Sequence, residues 1–141
     1  MTGTSATAPY GTAVTLDAPF DEAVARVREA LAGQGFGVLT EIDVRATLHE
    51  KIGAAIEPYL ILGACNPPLA HRALEADRSL GLLLPCNVVV RALPDDRTLV
   101  EALDPATMVR LSDAPGLRPV ADEARHKLDA ALDALRGSPQ Q

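Results

Sequence analysis

Two rhythms of apolar residues alternate along the chain. GTAVTL at 11–16 alternates as a short strand does, and the following segment switches to helical spacing. There Phe20, Val24, Val27 and Leu31, with Ala23 and Ala30 beside them, form one stripe. Asp17 and Pro19 supply a start for that helix, and Gly33 or Gly35 a stop. FGVLTEI at 36–42 reads as a strand. DVRATLHEKIG then reads as a short helix, with Val44, Leu48 and Ile52 four residues apart, Asp43 as cap and Gly53 as terminator.

EPYLILGAC at 57–65 is almost continuously apolar, the pattern of a central strand covered on both faces. Asn66 followed by Pro67 is a helix-start signal, an acceptor side chain and then a residue with no N–H to leave unpaired. The predicted helix covers 67–77, with Leu69, Ala70, Ala73 and Leu74 inward. GLLLPCNVVVRAL at 81–93 holds a second apolar strand, with Pro85 at its beginning or at a bulge. PDDR turns it into TLVEAL, and Asp104-Pro105 starts a helical turn at 105–110. The closing helix, 117–136, has the longest stripe: Leu117, Val120, Ala121, Ala124, Leu128, Ala131, Leu132 and Leu135. The alternation predicts one α/β domain over 11–136, a two-layer sandwich with a mixed sheet of about five strands and helices packed on it. Residues 1–10 and 137–141 read as flexible tails.

Composition narrows the partners. Hydrophobic residues make up 48% of the 141 and aromatics only 3%, so the core is aliphatic. A net charge of −6 argues against nucleic acid and against an anionic membrane surface, both of which select clustered Lys and Arg. No apolar run is long enough for a membrane-spanning helix, and MTGTSATAPYG has neither part of a secretory signal. The cytoplasm is therefore the expected compartment, and a lasting disulfide is not expected there. The Ala/Leu stripe of the last helix offers more apolar surface than one short sheet needs, which points to a homodimer.

Chemistry concentrates at Cys65 and Cys86, the two cysteines, each followed by an asparagine. Cys65 ends a strand just before a helix N-terminus, where a thiolate is stabilised, so it is the candidate nucleophile or ligand. If the strands at 57–65 and 86–92 run parallel, a strand's length separates the thiols; if antiparallel, they meet. The ordinary role of such residues is a small buried hydrophobe. Asn66 is first a cap, for which Asp would serve as well, and Asn87 can bond backbone near the proline. Glu41 and Asp43 flank Ile42 and share one side of a strand, where two carboxylates can divide general acid–base work. The ordinary reading is Asp43 as a helix cap and Glu41 as a surface acid, and Glu41 is also a candidate ligand contact. His49, His71 and His126 show no zinc spacing, so no metal site is assigned. No cofactor is evident; a haem or metal held by one His or Cys leaves no motif. The glycines at 33, 35 and 37 follow a helix, the wrong context for a dinucleotide loop.

GFGVLTEID at 35–43, LGACNPPLAHRAL at 62–74, GLLLPCNVVV at 81–90 and DPATM at 104–108 resemble, in this order, the DUF302 family of small bacterial and archaeal domains. That family has no established general activity. The resemblance spans roughly 11–136 and implies a compact α/β domain that pairs as a homodimer. The family's two Cys-Asn positions fall on Cys65, Asn66, Cys86 and Asn87, while PDDR departs from its usual Gly-containing turn. Together these readings lead to a homodimeric small-ligand-binding or accessory protein, its pocket lined by Cys65, Asn66, Cys86, Asn87 and Glu41. The alternative is a thiol-dependent enzyme, or a redox, metal- or haem-handling protein, using Cys65. Whether the chain is an enzyme stays open at this point.

Overall fold

The computed structural model describes residues 8–137. The expected tails fall mostly outside that range, although Tyr10 already accepts a backbone hydrogen bond from Asp104 N–H at 2.8 Å. In chain order the elements are β1 (Gly11–Leu16), α1 (Phe20–Ala32), β2 (Gly37–Asp43), α2 (Val44–Ile52), β3 (Tyr59–Cys65), α3 (Pro67–Ala76), β4 (Cys86–Leu93), β5 (Arg97–Leu103), α4 (Ala106–Leu111) and α5 (Leu117–Gly137). The strands form one sheet in the order β1-β5-β4-β3-β2. All its pairings are antiparallel, not mixed as the alternation of strands and helices implied.

The reason lies in α3. A crossover that makes neighbouring strands parallel runs its helix along the sheet. Here α3 packs mainly on α5 and on the 3₁₀ turn at Arg78–Leu83, beyond the sheet's end. The chain therefore enters β4 at the end where it left β3. Pro85, without an N–H to give the ladder, marks where β4 begins, so residues 81–84 are not strand. Leu80 in the 3₁₀ turn is buried instead.

Strand alternation sorts the side chains into two faces. On one, Val14, Leu60, Leu62, Val88, Val90 and Val100 pack with Val27 and Leu31 of α1 and Leu128, Leu132 and Leu135 of α5. Burying each such side chain contributes about 1.5–3 kcal/mol. A second core gathers Leu69, Ala73, Leu80, Met108, Leu117, Val120 and Ala124 outside the sheet's end. The first half of α5 serves this core and the second half serves the sheet, so its whole stripe is buried within the chain. The stripe leaves no surplus apolar surface, which removes the basis on which it pointed to a dimer. The other face of the sheet carries Ile61, Val89, Arg91 and Glu101 half-buried and Ile42 and Asn87 exposed. Thus β3 is covered on one face rather than both. In α2 no residue is buried: Val44 and Leu48 are half-covered and Ile52 is exposed.

One strand glycine holds the β2–β3–β4 corner together. A Cβ on Gly63 would run into Thr40 Oγ1 and lie 2.9 Å from Pro85 Cγ. Gly63→Ala should therefore destabilise by roughly 1–3 kcal/mol through overpacking, with part of the loss recovered in Gly63→Ala/Thr40→Ala. Urea melts of the three variants check this; a Gly63→Ala midpoint equal to wild type would mean that the corner has room to spare.

Candidate functional site

Antiparallel pairing places Ala64 opposite Cys86, so Cys65 is a diagonal neighbour of Cys86 at one end of the sheet. Both thiols are free; Cys86 is buried and Cys65 half-buried. They line a cavity of about 260 Å³ along the seam between the two cores. Phe36, Ala64 and Cys86 belong to its sheet side, and Leu69, Ala73, Met108, Val120 and Ala124 to the helices outside the sheet's end. Pro85, preceded by a cis peptide bond, also lines it.

Asn66 also lines the cavity, but its amide is committed elsewhere. Its Oδ1 accepts from Leu69 N–H at 3.3 Å, which makes it the cap of α3. Its Nδ2 donates to the Gln34 carbonyl at 3.4 Å, tying β3's exit to the loop between α1 and β2. Gly35 in that loop has φ +83°, and a Cβ there would lie 3.1 Å from Asn66 Nδ2. Asn66 is thus a brace as well as a cap, and Asp cannot supply the second bond.

Two of the expected site residues lie apart. Asn87 follows inward-facing Cys86 and so projects, exposed, from the opposite face of the sheet. Glu41 is ion-paired with Arg28 of α1, beside β2. Neither lines the cavity. Asp43 caps α2, accepting from Ala46 N–H at 2.9 Å. His49, His71 and His126 are all exposed, with His71 3.8 Å from Glu75. Among the described residues, no three His, Cys, Asp or Glu side chains gather as a metal cluster. The same residues contain no helix long and apolar enough to cross a membrane. Met108, from α4, is the lining residue with reactive or coordinating capacity that the sequence did not single out.

Burial, with a smaller contribution from the neighbouring Cys65, pushes the Cys86 thiol from 9.0 up to about 11. It is therefore protonated, and a poor nucleophile, at neutral pH. Cys65 is the more accessible of the two thiols.

A family model described as domain of unknown function DUF302 matches residues 12–135. The chain belongs to the DUF302 family. The crystal structure of an uncharacterized conserved DUF302 protein from Bacillus stearothermophilus shares the fold with a TM-score of 0.83. It is 32% identical and covers 92% of this chain and 100% of its own. No curated protein matches the chain. DUF302 membership thus accounts for the fold and the order of the motifs, and the site must be read from its own geometry.

The brace distinguishes Asn66→Asp from a neutral cap replacement. Asp keeps the bond from Leu69 N–H but turns an oxygen toward the Gln34 carbonyl, so a loss of about 1 kcal/mol is expected. Asn66→Ala loses both bonds, about 1–2 kcal/mol. Denaturant melts in which Asp matched wild type would reduce Asn66 to a cap alone.

The raised Cys86 pKa also sets an alkaline limit. The folded chain retains a proton that the unfolded chain releases above pH 9, so stability is full below pH 9 and falls as pH rises toward about 11. The loss attributable to Cys86 is on the order of 2–3 kcal/mol. Comparing the pH dependence of unfolding for wild type and Cys86→Ala isolates it; parallel curves would remove it.

Proposed function

We propose that this DUF302 domain binds a small, uncharged, apolar molecule in the cavity beside Cys65 and Cys86. One observation carries this reading: apart from the sulfurs of Cys65, Cys86 and Met108 the cavity is walled by aliphatic and aromatic carbon, and its one side-chain amide, Asn66, already has partners for both ends. A charged or hydrogen-bonding ligand would lose water there and gain little in return. The volume of about 260 Å³ exceeds the ~150 Å³ of an apolar cavity that takes up benzene. A single-ring aromatic or a short alkyl chain fits that description.

The rival reading, a thiol-dependent enzyme, draws on Cys65 alone: it is half-buried at the cavity and immediately precedes the cap of α3. Both readings predict faster iodoacetamide labelling at Cys65 than at Cys86, so labelling rate alone does not separate them. Occupancy does. Saturating ethylbenzene should raise Tm and slow Cys65 labelling, while Ala73→Leu, which fills the cavity, should raise Tm by itself and abolish both responses. Unchanged melting and labelling with ethylbenzene would discard the apolar-ligand reading. In that case Cys65 would remain as the basis for the enzyme.

We propose further that the chain pairs with a second copy through the open face of its sheet. Ile42, Ile61 and Val89 lie in one register row there, continued by Glu101. Arg91 of the adjacent row is 3.9 Å from both Glu57 and Glu101, so a two-fold copy would meet charges of both signs around an apolar centre. Sedimentation at micromolar concentration should give a dimer that Ile61→Asp splits. A single species near 14.8 kDa in the wild type would refute the pairing.

A further inference from the structure

Every sulfur atom among the described residues lines one cavity. The chain has two cysteines and two methionines, and apart from Met1 they are Cys65, Cys86 and Met108. They arrive from three different elements. Cys65 ends β3, Cys86 begins β4 beside it, and Met108 comes from α4. The remaining wall is almost entirely hydrocarbon, and the Asn66 amide is committed to Leu69 and Gln34. The side chains around this cavity thus offer soft donors and no free hard ones.

We propose that Cys65, Cys86 and Met108 form a site for a soft monovalent metal ion of the copper(I) kind. Thiolate and thioether ligands select such ions, whereas zinc requires four nitrogen, oxygen or sulfur donors and calcium or magnesium require oxygen. On binding, Cys65 and Cys86 each give a proton to solvent, and two metal–sulfur bonds form with no change in oxidation state. Two thiolates and one monovalent cation leave a single negative charge, and the selection for a soft ion rests on the sulfur donors. Met108 supplies a neutral third donor on an unbranched side chain that can adjust its reach. Half-buried Cys65 is the entry point: it takes the ion first and passes it to buried Cys86. This site shares the cavity with the apolar-ligand reading but does not depend on it.

The test is anaerobic titration of the full metal-free chain against the copper(I) complex of bathocuproine disulfonate, followed by the chelator's absorbance. Wild type should withdraw one ion per chain. Cys65→Ser and Cys86→Ala should each weaken binding by about 100-fold or more, since even losses around a metal's ligands cost 10–100-fold. Met108→Leu should weaken it less, and far-UV circular dichroism identifies any variant that fails to fold. If Cys86→Ala does not fold, Cys65→Ser and Met108→Leu decide the matter. Failure to compete with the chelator, or a folded Cys65→Ser that competes as well as wild type, overturns the site. The ethylbenzene melt uses metal-free protein, so either proposal can fail without the other.

Discussion

The pairing of β3 with β4 is the constraint on which the site depends. Because the two strands are antiparallel, the chain leaves the sheet at Cys65 and re-enters it at Cys86 on the same end. Everything between them must then fold outside that end. α3 and the 3₁₀ turn cannot reach the main core, and their apolar residues Leu69, Ala73 and Leu80 need other cover. α4 and the first half of α5 provide it. The second core is a consequence of strand direction, and the cavity lies along the seam where this core meets the sheet. Packing at the corner keeps the register in place: Gly63 admits Thr40 and Pro85, and Asn66 fastens the exit of β3 to the α1–β2 loop.

α5 reconciles the two cores. Its 21 residues extend for roughly 31 Å at 1.5 Å per residue, enough to contact α3 and α4 with one half and β1 and α1 with the other. The small residues Ala121, Ala124 and Ala131 on its buried stripe let these neighbours approach closely. A helix that looked oversupplied with apolar residues therefore has two separate surfaces to cover. On the sheet's other face Ile42 remains 48% exposed.

Local signals survived folding well, and signals that depend on distant packing did not. The caps at Asp43 and Asn66, the left-handed Gly53 and the turn through Asp95 and Asp96 are decided within a few residues, and all were legible. Strand direction was not, because it depends on whether α3 packs on the sheet or on α5, and α5 begins at Leu117. The second bond of Asn66 reaches Gln34, 32 residues away, and the partner of Glu41 is Arg28 on another element; spacing encodes neither. Asn87 is different. The two-residue period of a strand already placed it opposite to Cys86, but the unbroken valines of CNVVV concealed that alternation. Met108 was hidden by the brevity of α4, a helix too short to show a stripe.

The cavity is bounded by side chains that could have been larger. Ala64, Ala70, Ala73 and Ala124 contribute to its wall, each from a position where a bigger aliphatic residue would extend into the space. Unfilled apolar volume forfeits dispersion contacts and weakens a fold, and filling such volume is among the simplest ways to stabilise one. A domain of this size has modest stability to spare, typically about 5–15 kcal/mol. Four alanines around one seam, with both cysteines and an internal methionine facing the same space, therefore combine a structural cost with a concentration of chemistry. Cys86 alone could be explained as a packing residue, because it is buried and protonated. That explanation does not extend to Cys65, which stays half-exposed where the same alanines keep the space beside it open. Packing by itself favours closing such a seam, and the occupant proposed above would account for its being open.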